Sequence, residues 1–438
     1  MSSTIVVGGG LSGLVRAYAL ARRGEDVLLL ERSPKPGGVV RTDRVDGYLI
    51  ERGPNTVRPT PELWSLVCDL GLTSEAVIAP PSALRYLDWG GRLYAMPMSP
   101  LGLAVTPLLS AGAKLRLLAE PFVRKRGPEG ESVADFFARR LGPQVAERFI
   151  EPFISGIFAG DAHELSMAAA FPPLWSLDAK YGSLLRGAIA SRKERRPPAV
   201  KPPRGLLSFR HGLQTLPNAL AAFLGPRARF DTPVQAISRD GHGWKAVTPS
   251  GSHEAERLVV ATPQAAAAEL ARAFAPAASA ALEAIPSPPV AVLHLSYPKD
   301  AFDTPPKGFG FLVVPQKERR ILGCLFTSCL FDGRAPEGRV LLTIFMGGMR
   351  DPGAVALSDD ALVEAAGFNL RSAMGVRGTP TRVAITRWEH AIPQYDRGHL
   401  VRISAIAAAE AGQPGLCFLG AYRGGISVGD VVKNALAG

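Results

Sequence analysis

Four cysteines in 438 residues, Cys68, Cys324, Cys329 and Cys417, form no CxxC pair and no metal-ligand spacing. That usage fits reduced thiols in a cytosolic setting rather than a disulfide framework or a zinc site. The chain has no uninterrupted apolar run of about 18 residues, so no segment is expected to span a bilayer. Met1-Ser2-Ser3-Thr4 passes straight into Ile5-Val6-Val7, without the charged lead and cleavage site of a signal peptide. Zinc-finger spacing, basic–aromatic interleaving and a recognition-helix pattern are also missing, which argues against nucleic acid as a partner. There is no Ser/His/Asp arrangement, no long internal repeat and no low-complexity tract.

What is present is the composition of an ordinary globular protein, 47% hydrophobic and 20% charged. Its length exceeds what one core supports, so two or three domains are expected. Lys and Arg number 50 against 39 Asp and Glu, a net charge of +11. Three readings of that excess stay open: solubility, an acidic substrate, or an anionic membrane surface.

The N-terminus carries the densest signal. Thr4-Ile5-Val6-Val7 is a short β-branched run, as a buried parallel strand requires. Gly8-Gly9-Gly10-Leu11-Ser12-Gly13 follows at once and reads as GxGxxG with glycines at 8, 10 and 13. Apolar residues from Leu11 to Arg23 then recur at helical spacing, and Gly24 is placed to end the helix. Asp26 to Leu30 is a second strand with Glu31 at its tip. The first glycine allows the tight turn, the second lets backbone approach a pyrophosphate, and the third lets helix pack on strand. Glu31 suits ribose hydroxyls and disfavours a 2′-phosphate, which argues against NADP. Beyond it, Gly37-Gly38-Val39 and Arg41 suggest a second turn around a longer cofactor, with Arg41 on its pyrophosphate. Glu51-Arg52-Gly53-Pro54-Asn55-Thr56 adds a rigid turn with backbone donors suited to the rest of a flavin nucleotide. FAD is the expected cofactor.

The run GGGLSGL…LLER…PGGVVRT…GPNT resembles the flavin-dependent amine oxidase superfamily and, within it, the protoporphyrinogen oxidase family. Later stretches are similar in order and spacing: Leu84-Arg85-Tyr86, Glu151-Pro152-Phe153 through Asp161, Phe209 to Pro217, Gly308 to Val313, and Ile392-Pro393-Gln394-Tyr395 with Gly398-His399. The likeness runs from residue 4 to about 435. It implies an α/β fold: a Rossmann-type FAD-binding domain, discontinuous in sequence, an α+β substrate domain, and a mostly helical inserted membrane-associating domain. The implied division is 1–80, 205–280 and 385–438 for FAD, 81–96 and 281–384 for substrate, and 97–204 for the helical insert.

The resemblance also implies roles. Gly8, Gly9, Gly10, Leu11, Ser12, Gly13, Glu31, Arg32, Gly38, Val39, Arg41, Gly53, Pro54, Asn55, Thr56, Val234 and Trp388 would contact FAD, together with Val428, Gly429 and Asp430. Val234 would meet the adenine through its backbone, from a buried strand spanning 229–237. The helix starting at Val428 would point its N-terminus at the flavin N1–C2=O edge and stabilise the charge of the reduced ring. The turn Gly420–Gly425 has no cysteine, so the flavin is expected to be non-covalent. Arg85 would hold a substrate propionate, Phe309 and Leu312 would sandwich the ring, and Gly156 would leave it room. No catalytic side chain and no metal are expected, because the flavin carries the redox work.

The implied reaction is oxidation of protoporphyrinogen IX to protoporphyrin IX by oxygen, with hydrogen peroxide released, in a homodimer in the cytoplasm or on the cytoplasmic face of a membrane. Coproporphyrinogen III as substrate and a non-catalytic flavoprotein scaffold are the alternatives. Leu101–Leu109, with Lys114, Arg116 and Arg124-Lys125-Arg126 nearby, fits either an anionic interface or the core of the helical domain. A single apolar helical stretch is expected over Leu101–Leu118, an amphipathic one over Ser132–Phe149, and a basic loop over Arg192–Pro198. Two departures bear on FAD retention. Gly429 stands where relatives often carry Asn, and the chain ends at Gly438, about two helical turns past Asp430.

Overall fold

The computed structural model describes residues 2–123, 127–128, 130–194, 200–241, 243–316 and 318–438. The two N-terminal strands form as their composition demands. β1 (Ser2–Val7) pairs in parallel with β2 (Val27–Leu30), Thr4 opposite Val27 and Val7 opposite Leu30. The helix Leu11–Arg22 joins them and buries Leu14, Val15, Ala17 and Leu20. A hairpin β3 (Thr42–Val45)–β4 (Tyr48–Glu51) follows, then β5 (Ala76–Ala79) and a second hairpin, β6 (Arg85–Trp89)–β7 (Arg92–Ala95). After a helical stretch, β8 (Leu206–Phe209) returns to pair with β5. The strands β9 (Ala228–Arg229), β10 (Ala236–Asp240), β11 (Gly243–Thr248) and β12 (Gly251–Val260) come next. The chain then adds β13 (Val290–Pro298), β14 (Gly310–Val313), β15 (Ile321–Leu325), β16 (Arg339–Gly347), β17 (Thr381–Trp388) and β18 (Leu416–Phe418).

Two seven-stranded sheets result. The first runs β10-β11-β12-β1-β2-β9, with β18 also on β12. Its period-2 alternation sends Val6, Leu29 and Val259 to one face, against the helices Leu11–Arg22 and Val428–Ala437. Ile5, Val7, Leu28, Leu30 and Val260 go to the other, against the alanine-rich helices Gln264–Ala271 and Pro276–Glu283. Burial on both faces explains why β1 and β2 read as continuous apolar runs. The second sheet runs β17-β13-β16-β15-β14-β6-β7. Ala291, Leu293, Leu295 and Tyr297 of β13 pack towards the helix Asp359–Met374, while Val290 and Val292 face Trp388 and Ile392.

Four expectations change. The run Leu101–Leu118 is two helices, Pro100–Val105 and Ala111–Leu118, because Thr106-Pro107 interrupts it. Ser132–Phe149 is likewise split, into Val133–Leu141, a short Pro143–Val145 turn and a π-helical Ala146–Ile150, with Gly142 at φ +97° between the first two. The helix Leu184–Glu194 continues through Arg192, Lys193 and Glu194, and the rest of the expected basic loop, residues 195–198, lies outside the described residues. Arg124, Lys125 and Arg126 lie outside them too. The expected strand 229–237 is two strands: β9 pairs with β2, β10 pairs with β11, and residues 230–235 connect them. The chain leaves its pairing with β2 after Arg229 and turns at Asp231, whose φ is +51°, and Pro233 in the connection has no ladder donor to offer.

Candidate functional site

The turn after β1 has an open helix end. Gly10 occupies the N-cap of Leu11–Arg22 and offers no side-chain cap, whereas Thr60, Ser110, Ser132, Ser358 and Ser427 cap other helices. The first-turn N–H groups are therefore free of side-chain acceptors, a ready anion site. A Cβ on Gly10 would meet nothing within 4 Å, so there is room above that end. At Gly13 the demand is steric, because a Cβ would lie 1.9 Å from the Gly8 carbonyl oxygen. The second glycine turn packs on the first. The Gly37 N–H donates to the Gly9 carbonyl at 2.8 Å, and a Cβ on Gly38 would sit 3.1 Å from the Gly10 Cα. Gly37 itself adopts φ +113°, which an L side chain rarely tolerates.

Glu31 is buried, and its carboxylate is aimed back over this turn. It accepts the N–H of Gly9 and that of Ser33, the latter at 2.7 Å. A carboxylate has about four acceptor sites, so capacity remains for a diol. The connection 230–235 comes alongside, with the Thr232 N–H donating to the Glu31 carbonyl at 2.8 Å. Val234 therefore sits half-buried in a loop, not in the buried strand expected of it. Arg32 is exposed. Arg41 is half-buried, its Nε has no hydrogen-bond partner among the described residues, and its Nη2 lies 3.4 Å from Ser33 Oγ. The Arg52 N–H donates to the Arg41 carbonyl, and Trp388 Nε1 donates to the Arg52 carbonyl at 2.8 Å. Asn55 is buried, with Nδ2 on the Gly53 carbonyl and Oδ1 without a partner among the described residues. The uncapped helix end, the open space at Gly10 and the Arg41 Nε donor suit a diphosphate, and Asn55 Oδ1 adds an acceptor, a set that fits a diphosphate-linked nucleotide.

The C-terminal segment reaches the same place. Leu11, Val40, Val57 and Val428 line one small apolar cavity, so the helices Leu11–Arg22 and Val428–Ala437 bring their N-terminal ends together there. Ser427 Oγ caps the second helix by accepting the Asp430 N–H at 3.1 Å, and donates to Asp430 Oδ2 at 2.6 Å. Gly429 has a steric cause. It is buried, and a Cβ there would meet Thr60 Cγ2 at 2.5 Å, so a side chain would push this helix off the Thr60–Pro61 turn.

The expected substrate residues form two pairs, each with one member in a strand of the second sheet, Arg85 in β6 and Leu312 in β14. The Arg85 guanidinium stands 5.3 Å from the Phe309 ring centroid, a cation–π contact. Gly156, in the helix Glu151–Phe158, lies against Leu312: a Cβ there would meet Leu312 Cδ2 at 2.2 Å. Phe309 packs towards Ala79, Leu330 and Phe331, whereas Leu312 packs towards Leu87, Leu108 and Phe149, so the two belong to different clusters.

Four buried polar residues have environments that the sequence does not show, although Glu51, Tyr395 and His399 lie in stretches that it singles out. Glu51 is buried at the end of β4, where its carboxylate accepts from Thr42 Oγ1 at 2.7 Å and the Leu213 N–H at 2.9 Å, with the Arg334 guanidinium at 3.8 Å. Burial wins over those partners and pushes its pKa up to about 7. His294 on β13 is fully buried, and burial holds it down at about 4. The one signal in the sequence was a histidine inside the apolar run Val290–Tyr297. Tyr395 and His399 are buried as a stacked pair, centroids 4.0 Å apart.

The family model for flavin containing amine oxidoreductases matches residues 11–436. The chain is 37% identical to the chloroplastic protoporphyrinogen oxidase of Oryza sativa subsp. japonica, covering 98% of this chain and 86% of the relative. It is 29% identical to the coproporphyrinogen III oxidase of Bacillus subtilis (strain 168), covering 99% and 96%. A crystal structure from Exiguobacterium sp. 255-15, provisionally assigned as a protoporphyrinogen oxidase, aligns with a TM-score of 0.83 at 26% identity, covering 100% of this chain and 97% of that one.

Proposed function

The chain belongs to the flavin containing amine oxidoreductases, and from that premise we propose that it binds FAD non-covalently and oxidises protoporphyrinogen IX to protoporphyrin IX. Bound FAD would supply the electron acceptor, taking six electrons in three two-electron steps and passing them to oxygen, which leaves as hydrogen peroxide. The residues do the holding. The open end of Leu11–Arg22 and Arg41 would face the pyrophosphate, and Glu31 the ribose. The N-terminus of Val428–Ala437 would place its partial positive charge at the isoalloxazine ring. Arg85, steadied on the Phe309 face, would bind a propionate, while Leu312, in the room left by Gly156, would offer apolar wall to the macrocycle.

The observation that carries this reading is the Arg85–Phe309 pair: a cation held on an aromatic face suits an apolar macrocycle carrying few carboxylates. Coproporphyrinogen III, with four propionates, is the second reading, favoured by the full-length likeness to the Bacillus subtilis oxidase. Comparing kcat/KM for the two porphyrinogens, with peroxide measured, separates them. A higher value for coproporphyrinogen III would move the assignment to the second reading.

The proposal includes a peripheral membrane contact. Met98, Leu101, Val105, Leu115, Leu118 and Phe122 are 68 to 83% exposed over one short stretch of chain. That is more large apolar surface than a solvated face usually carries. Leu108 and Leu109 are core instead, and Arg116 is engaged with the carbonyls of Arg139 and Arg140 at the end of Val133–Leu141. Among the described residues no helix is long and apolar enough to cross a membrane.

A further inference from the structure

The turn leading into the C-terminal helix is braced from outside by one aromatic side chain. The Tyr395 hydroxyl donates to the Ala421 carbonyl at 2.7 Å and accepts from the Gly425 N–H at 2.9 Å. A single oxygen thus ties together both ends of Ala421–Gly425, two residues before the Ser427 cap. From the opposite side, Asn434 Nδ2 donates to the Arg423 carbonyl at 3.1 Å.

Tyr395 is itself fixed. Its carbonyl accepts the Ser166 N–H at 2.8 Å, and its ring packs in the cluster of Phe136, Phe158 and Ile426. The ring also lies on His399, planes 12° apart. Burial holds His399 at about 4, so that ring is neutral near pH 7 and the stack does not carry a buried charge. The phenol is held well above its usual range by burial, so the hydroxyl keeps the proton that it donates to Ala421.

We propose that Tyr395 is a positioning residue for the flavin: its hydroxyl sets the path of Ala421–Gly425 and so aims the N-terminus of Val428–Ala437 at the cofactor. The inference rests on the reading that this helix end faces the isoalloxazine ring. Its physical basis is that the favourable field of a helix end falls off within about one turn, so a displaced turn changes what the ring feels. Removing the hydroxyl also leaves a half-buried carbonyl and a half-buried N–H without this partner.

Tyr395→Phe keeps the ring and the stack and deletes one oxygen. It is expected to weaken FAD binding about tenfold, equivalent to about 1.4 kcal/mol. It is also expected to lower the reduction potential of the bound flavin, as a weaker positive field would. Asn434→Ala, at a half-exposed position, loosens the same turn from the other side and is expected to shift both readouts in the same direction. A fall in melting temperature with affinity and potential unchanged in both variants would reduce Tyr395 to an ordinary packing residue and overturn the inference. Wild-type protein that takes up no FAD would instead overturn the cofactor reading, and the inference with it.

Discussion

A methyl group at position 13 would lie 1.9 Å from the Gly8 carbonyl oxygen, far inside contact distance. Gly13→Ala must therefore move the helix Leu11–Arg22 off β1, and flavin retained per protein, read from the absorption spectrum, is expected to fall at least tenfold. The clash at Gly156 is softer, since the atom met is the end of a leucine side chain. Gly156→Ala should displace Leu312 and raise KM for the porphyrinogen while leaving flavin content unchanged. Arg85→Ala removes a charge-assisted contact worth about 1.5–3 kcal/mol and should raise KM by roughly ten- to a hundredfold. An unchanged KM would exclude Arg85 from the propionate site. His294 predicts a pH effect. The unfolded chain takes up a proton near the ordinary value of 6.5 and the folded one only near 4. Its stabilising contribution is thus complete above 6.5 and lost as pH falls through 4. Glu51 has the opposite sign, its contribution being complete below 4.5 and lost as pH rises through about 7. The melting temperature of His294→Leu should accordingly fall less steeply between pH 6.5 and 4 than that of the wild type.

At the scale of elements, what was legible in the sequence is what neighbouring residues decide. The strand, glycine turn, helix and acid of residues 4–31 are written in composition and spacing, and they form as read. The breaks at Pro107 and Pro233 were written there too, but apolar and β-branched runs on either side outweighed a single proline in the reading. Long-range partners were not legible. Glu51 meets Leu213 and Arg334, and Tyr395 meets Ala421 and Gly425, through the pairing and packing of distant segments. The reason for Gly429 lies equally far off, at Thr60. Contacts of that kind have no periodicity to read. The exposed apolar stretch is an element-scale property as well. Leu118→Asp with Phe122→Asp should lower co-sedimentation with anionic liposomes, and wild-type protein that fails to bind them at low salt would remove the membrane contact.

At the scale of the molecule, two sheets divide the labour. One leads into the glycine turns and Glu31, the other carries Arg85 and Leu312, and Trp388 at the end of β17 donates to the Arg52 carbonyl just past the β3–β4 hairpin. On the proposed reading, the side chains on these sheets would bind and orient while the cofactor accepts electrons. The most direct test is anaerobic mixing of the FAD-loaded protein with protoporphyrinogen IX and, separately, with coproporphyrinogen III, following the flavin band near about 450 nm. Rapid bleaching by protoporphyrinogen IX, faster than by coproporphyrinogen III, is the predicted result. A flavin that neither porphyrinogen reduces would contradict the assignment.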